Sequence, residues 1–432
     1  MGRGTVSIGR PMRARVHGIL ATIRVWGGET WMPVGEPEAV EPVEPTDPDT
    51  LVKLAQIADQ CAWWRTSTST GPTGTTIISR HTVQSPAKSL RARWGVHGWG
   101  GMDAGMTGAA AFVVRGVPHW LTFDGEPTVT IPRLDFVTSD PLPASVAVEA
   151  GETIYVVWEA PAGVSVPSGA HKQATPATLR VPGPYPGAPG AMNDPVISGA
   201  PQGIYGLTVE DETASIALVG DSFLEAGWGK GALTTVGGFA WTDLSQWAEG
   251  TPTGDIAGRL SMSGPSPFKT IVTAYGGNNS TQPLADQQET HIAHWRALAG
   301  TGAQVAAMTL HPYTTSTDAW TTVGGQALSS DRDQPARVAR NEWLRDGAPL
   351  DTSTWEPYPT GTTDASAIRI GQAGHPVTYP VFDQADACET TRNSGIWRVD
   401  GGAWTVDGAH LTQHGSAMLL PYFEAWVRAN LT

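Results

Sequence analysis

A single Gly-Asp-Ser triplet, Gly220-Asp221-Ser222, follows a short apolar run, SIALVG (215–220). Such a run reads as a buried strand, which puts Ser222 at a strand-to-helix turn with its own N–H at a helix start. A hydroxyl there can attack an acyl carbon if a base takes its proton. Of the eleven histidines, only His410 has an aspartate, Asp407, three residues before it. That spacing lets the Asp407 carboxylate accept from one ring nitrogen and leaves the other as a base for a serine. Asn278, in Gly276-Gly277-Asn278-Asn279, ends a second apolar run, KTIVTAY (269–275). Its amide can donate to the oxyanion formed when a hydroxyl adds to a carbonyl. Each pattern alone is weak, because such triplets are mostly turns and close Asp–His pairs mostly surface features. Their joint occurrence in one stretch, in this order, points to nucleophilic acyl chemistry. The Gly-x-Ser-x-Gly elbow of α/β-hydrolase lipases is absent.

These residues need a scaffold. From about residue 205, short apolar runs alternate with helical patterns. SIALVG, KTIVTAY and AQVAAMTL (303–310) read as parallel strands; residues 284–300, 335–345 and the C-terminal LLPYFEAWVRAN read as helices. Leu419, Tyr422, Phe423 and Trp426 mark the inner face of the last helix, which Pro421 is expected to kink or restart. The alternation implies an α/β domain with a parallel sheet, whose ligands bind at the carboxyl ends of the strands. Upstream, from about 75 to 160, the period changes to two. PTVTIP (127–132), SVAVEA (145–150) and TIYVVWE (153–159) predict antiparallel strands and a β-sandwich. Leu51, Leu54, Ile57 and Cys61 recur at helical spacing and predict a helix over 51–66. Residues 1–34 read as a small β unit turning at Gly27-Gly28. A Pro- and acid-rich stretch (33–48) follows, with five prolines and five acidic residues, and predicts an extended spacer. The expected domains are an attachment unit (1–34), a spacer (35–50), a β-sandwich (51–181), a Pro/Gly-rich linker (182–204) and an α/β domain (205–432).

Composition narrows the partners. The 432 residues carry 41 acidic and 27 basic side chains, a formal charge of −14 with no basic run, which argues against nucleic acid. No apolar run is long enough for a membrane span. Arg15, His17 and Arg24 interrupt the N-terminal apolar stretch, so no signal peptide is expected. Two cysteines, Cys61 and Cys388, make neither a disulfide framework nor a Cys-built zinc site; unpaired buried thiols are expected, and a pair would need an oxidising compartment.

The three motifs together resemble the SGNH hydrolases, or GDSL esterase/lipase family, over about residues 212–432. Gly220-Asp221-Ser222 matches the family's nucleophile block, Gly276-Gly277-Asn278-Asn279 its GxND block, and Asp407 with His410 its DxxH block. DGAHLTQHGSAML is similar to the flanking family text, and FAWTDLSQWAEG (239–250) to its first helix. Asn279 stands where the family has Asp. The resemblance implies a flavodoxin-like sheet and a serine esterase. Ser222 is then the nucleophile, His410 the base and Asp407 its brace. An oxyanion hole follows from the Ser222 N–H, the Asn278 amide and a glycine N–H. Gly264 is the chosen glycine and Gly238 the alternative; Gly264 leaves only four residues before the strand at 269, too few for a helical crossover. No metal and no organic cofactor are implied. The expected substrate is a carboxylic, O-acetyl or short acyl ester on a cell-envelope polysaccharide or glycolipid.

LTFDGEPTVTIPRLDFVTSDPLPASVAVEAGETIYV (121–156) resembles the N-terminal sandwich of secreted actinobacterial members of the family. VWGGETWMPVGEP resembles short units in tail proteins of phages that infect actinobacteria. A virion tail location, with residues 1–34 contacting other tail proteins, is therefore an expectation beside a secreted or cytoplasmic enzyme. The competing function is an inactive tail receptor-binding or structural protein, to which Asn279 and the ambiguous glycine lend support.

Other candidates carry plainer readings. His291 and His294 have metal-like spacing but no third ligand, which favours a solvated or half-buried helix face. His311 reads as a satisfied loop histidine rather than a crevice residue. Trp94 and Trp99 could stack on sugar rings, though filling a sandwich core is favoured. Asp221 is expected to brace its loop rather than act as an acid.

Overall fold

The computed structural model describes residues 24–27, 30–33, 52–56, 58, 60–61, 67–70, 74–95, 106–131, 136–170, 178–182, 184–187, 196–197, 203–209, 214–225, 228–245, 250–251 and 268–432. The chain divides into two compact units, Met1–Leu51 and Val52–Thr432. In the first, β1 (Arg24–Gly27) and β2 (Thr30–Pro33) form an antiparallel hairpin with Trp26 opposite Trp31. The expected spacer, Gly264 and Trp99 lie outside the described residues.

The second unit opens with β3 (Val52–Gln56) and β4 (Gln60–Cys61), strands where helical spacing predicted a helix. Tertiary pairing overrides the local period: β3 joins an antiparallel partner about 150 residues on. There follow β5 (Ser67–Thr70), β6 (Thr75–Thr82), β7 (Lys88–Gly95), β8 (Met106–Val114) and β9 (Val117–Trp120). Next come β10 (Val129–Ile131), β11 (Phe136–Thr138), β12 (Thr153–Ala160), β13 (Ser165–Ala170), β14 (Thr178–Pro182), β15 (Val196–Ile197) and β16 (Gly203–Val209). One antiparallel sheet runs β10-β8-β12-β6-β14 with β9 on β8; another runs β11-β7-β16-β3; a third runs β15-β13-β5. Along β12, Ile154, Val156 and Trp158 enter a core that also takes Leu90, Ala92 and Trp94 from β7 and Ile204 from β16. Trp94 is 1% exposed and packs 5.2 Å from Trp158, so it fills the core and offers no face to a sugar. Trp158→Ala would cost about 3–5 kcal/mol. SVAVEA forms no strand; it contributes only an isolated bridge, Val148 to Ala87.

The parallel sheet consists of β17 (Ala214–Gly220), β18 (Phe239–Asp243), β19 (Thr270–Ala274) and β20 (Gln304–Ala307), with β4 on one edge. Its order is β4-β18-β17-β19-β20, every pair parallel. The helices among the described residues are α1 (Ser222–Glu225), α2 (Trp228–Val236), α3 (Leu284–Ala299), α4 (Gln334–Arg345), α5 (Gln384–Cys388) and α6 (Gln413–Asn430). β17 is buried on both faces. Ile216 and Leu218 pack with α2 and α6 residues, while Ala217 and Val219 pack with α3 and α4 residues. This is the double covering a parallel sheet needs, and it explains the unbroken apolar runs. Strand order reverses between β17 and β19, and a crevice opens at such a point beyond the carboxyl ends.

Two further elements depart from expectation. FAWTD (239–243) is β18, buried throughout, and not a first helix. Five apolar-rich residues fit either element by pattern, and sheet pairing decides. The link from β18 to β19 therefore starts at 244, and Gly264 falls within it, outside the described residues. In addition, α6 runs unbroken through Pro421. Thr412 caps it by accepting from Gly415 N–H at 2.9 Å, and Leu419, Phe423 and Val427 are its buried face; Tyr422 is 44% exposed.

Candidate active site

Ser222 lies two residues past the end of β17 and opens α1. Asp221, before it, is buried and caps the short helical turn: its Oδ1 accepts from Phe223 N–H at 3.0 Å. The Ser222 N–H thus sits at the first helical position, where helix N–H groups have no intrahelical acceptor. Burial pushes the Asp221 carboxyl up to about 6, against hydrogen bonds from the Phe223 and Gly277 N–H groups.

The Asp407-Gly408-Ala409-His410 turn is held from outside. Gly408 N–H donates to Thr405 Oγ1, while the Gly408 carbonyl accepts from Thr314 N–H at 3.1 Å and Trp397 Nε1 at 2.9 Å. Gly408 has φ +87°, and a Cβ there would strike the Thr314 carbonyl; only glycine fits both conditions. The Asp407 carboxylate accepts from Ala409 N–H (2.9 Å), His410 N–H (2.8 Å) and His410 Nδ1 (2.6 Å). Partial burial opposes its charge, but these hydrogen bonds, the imidazole's foremost, hold it well below the usual carboxylate range. With Nδ1 donating to Asp407, His410 Nε2 is free to accept, and it lies 2.8 Å from Ser222 Oγ. The hydroxyl can pass its proton to that nitrogen.

Asn278 lines the same cavity, of about 140 Å³, together with Asp221, Ser222, Phe223, His311, Tyr313, Arg332, Ala409 and His410. The loop carrying Asn278 is close-packed beneath. A Cβ on Gly277 would collide with the Tyr313 hydroxyl and approach Asp221 Oδ2 to 2.9 Å. Asn279 Oδ1 accepts from Thr251 N–H at 2.5 Å, and Asn279 Nδ2 donates to Gln282 at 3.3 Å. The amide keeps an acceptor where the family has a carboxylate, and it ties the segment after β18 to the Asn278 loop. Gly238, the alternative oxyanion glycine, is exposed and immediately precedes β18. It lies at the amino ends of the strands, a strand length of roughly 15–20 Å from the serine end.

Several further residues line or back the site. His311 is 2% exposed and lines the cavity, stacked on Phe223 at 3.8 Å; it is a wall residue, not a satisfied loop histidine, since its Nδ1 has no hydrogen-bond partner. Burial first, then nearby positive charge, holds its ring neutral. Its position just past β20 was the available clue. Tyr313, Arg332 and Arg340 come from separate loops and α4 without any spacing pattern. Arg340 is buried and donates from Nη2 to the Tyr275 carbonyl at 2.7 Å; burial lowers its guanidinium to about 10. His291 and His294 are buried rather than half-solvated: His291 contacts the Gln287 carbonyl (2.7 Å) and Arg340 Nη2 (2.8 Å), and His294 the Thr273 hydroxyl (3.0 Å). No cluster of metal-ligating side chains occurs among the described residues. Cys388 is a free, buried thiol, with its pKa pushed up by burial.

The chain matches no known family profile and no curated protein. Solved structures similar to it include a peptidoglycan O-acetylesterase (10% identity, 89% of this chain and 79% of that one, TM-score 0.36). Another is a GDSL-like lipase from Bacteroides thetaiotaomicron (10% identity, 50% and 86%, TM-score 0.31). A third is the catalytic domain of peptidoglycan O-acetyltransferase A from Streptococcus pneumoniae (14% identity, 50% and 94%, TM-score 0.27). Likeness at this level carries no argument about activity; the geometry around Ser222 does.

Proposed function

We propose that this chain is a serine esterase of the SGNH type, acting through an acyl-enzyme. The observation that carries the reading is the relay from Ser222 Oγ to His410 Nε2 (2.8 Å) and from His410 Nδ1 to Asp407 (2.6 Å), set at the crevice of a parallel sheet. Ser222 Oγ adds to the ester carbonyl as His410 takes its proton. The carbonyl oxygen, now an anion, is met by the Ser222 N–H and the Asn278 amide. When the tetrahedral adduct collapses, the C–O bond to the alcohol breaks and His410 returns the proton to that oxygen. Water, deprotonated by His410, then attacks the acyl-serine and releases the acid. Asp407 holds the imidazole tautomer and stabilises the imidazolium.

The cavity of about 140 Å³ suits an acetyl or other short acyl group. For the alcohol half we propose a cell-envelope polysaccharide or glycolipid, with the two antiparallel sheets that share a core serving as an accessory β-sandwich. We further propose a virion tail location, to which residues 1–34 would attach the enzyme. The deciding experiment is labelling with a fluorophosphonate probe alongside hydrolysis of 4-nitrophenyl acetate. Adduct on Ser222, with both labelling and turnover lost in Ser222→Ala, is expected. An unlabelled wild-type protein that binds cell-wall polymer would instead favour the inactive receptor-binding alternative.

A further inference from the structure

Among the described residues that line the cavity, Arg332 is the one permanent cation, in a chain whose formal charge is −14. Three arginines lie within electrostatic reach of His311: Arg337, Arg332 and Arg340. Two of them are answered. Arg337 pairs with buried Glu389 at 2.6 Å, and Arg340 lies behind the loop with Asp221 as its counter-charge. Arg332 differs. It is half-buried and lines the cavity, and no described carboxylate lies within ion-pair distance of it; adjacent Asp331 feels its charge but is hydrogen-bonded to Ser329. Its Nη1 donates to the Gly277 carbonyl and the Ser280 hydroxyl, both at 3.3 Å, and its guanidinium lies 5.0 Å from the centre of the Tyr313 ring. These contacts orient the fork and leave Nη2 and Nε without a described partner. The one carboxyl among the described residues of the lining, Asp221, already accepts from Phe223 and Gly277 N–H groups.

We propose that Arg332 reads a negative charge on the substrate: the ester taken by this site is borne by an acidic alcohol, whose carboxylate or phosphate meets the free edge of the guanidinium. A planar, permanently charged fork suits either anion. On the proposed reading the acyl group is acetyl or similarly short and carries no charge, so the charge belongs to the alcohol half. This inference rests on the esterase reading and deepens it.

The test compares three acetyl esters on the intact protein: methyl 4-acetoxybenzoate (neutral), 4-acetoxybenzoate (carboxylate) and 4-acetoxyphenyl phosphate. In the wild type, kcat/KM for at least one anionic ester should exceed the neutral one by about tenfold at low salt, and the preference should shrink as salt is raised. In Arg332→Gln the anionic-to-neutral ratio should fall to near one, and Arg332→Lys should retain part of it. Because each ratio is taken within one protein, the neutral ester controls for folding and for loop damage. A wild type without charge preference overturns the proposal and leaves the esterase reading standing. So does an Arg332→Gln variant that loses all three activities equally, since Arg332 would then only brace the Gly277 loop. Hydrolysis of none of the three, with Ser222 unlabelled, removes both. Which anion is preferred distinguishes a carboxylate-bearing from a phosphate-bearing alcohol.

Discussion

Ser222 Oγ and His410 Nε2 lie 2.8 Å apart although 188 residues separate them in the chain. β17 delivers the first at its carboxyl end. The second sits on a turn pinned by Trp397 and Thr314, which have no sequence relation to either motif. Substitutions around this convergence have distinct expected outcomes.

Asp407→Asn keeps the shape of the turn but lets the imidazole adopt the wrong tautomer. A fall in kcat of about 10²–10⁴ is expected, with KM little changed. Steady-state kinetics on 4-nitrophenyl acetate checks it; a loss below threefold would show that the carboxylate only stabilises the loop.

Asn278→Ala removes one donor from the developing oxyanion. The expected loss is about 10²–10³ in kcat, with Ser222 still labelled by a fluorophosphonate, though more slowly. Unchanged kcat would take Asn278 out of the oxyanion hole.

Gly277→Ala places a methyl against the Tyr313 hydroxyl. Activity should drop sharply because the Asn278 loop must shift. Tyr313→Phe removes the atom in the way, so the Gly277→Ala/Tyr313→Phe double variant should recover part of the lost kcat. If the second substitution restores nothing, the approach to Asp221 Oδ2 rather than that contact controls the loop.

Asp221 gives a signed pH effect. Its carboxyl titrates at about 6 in the folded chain against 3.8 as the ordinary value, so between these pH values the folded state holds more protons. Stability from this group is full below about pH 4 and is lost as pH rises through 6, by roughly 3 kcal/mol at 1.36 kcal/mol per unit. The melting temperature of the wild type, taken relative to Asp221→Asn, should therefore fall across pH 4–6. A difference that stays flat across this window would show that Asp221 is charged throughout.

Much of the site was legible because its chemistry sits on local signals. An apolar run ending in Gly-Asp-Ser, a second ending in Gly-Gly-Asn, and an Asp three residues before a His are each readable within a dozen residues. The parallel-sheet rule then places strand ends together without coordinates. The rest was not local. Leu51, Leu54, Ile57 and Cys61 have helical spacing, yet pairing with β16 and β18 makes 52–56 and 60–61 strands. FAWTD has no period long enough to tell helix from strand, and burial between β17 and β4 settles it.

By itself, then, the order of residues singled out Ser222, His410 and Asp407 as the candidates for nucleophile, base and brace, and pointed to the α/β class. These depend on spacings of three residues and on apolar runs that no other element has to supply. Only tertiary structure decided which polar groups wall the cavity. His311, Tyr313 and Arg332 reach it from outside the three motifs, and a side chain's electrostatic role depends on through-space distance and desolvation. Neither quantity is encoded in sequence separation, which is why the place of Arg332 in the cavity came into view only once the chain was folded.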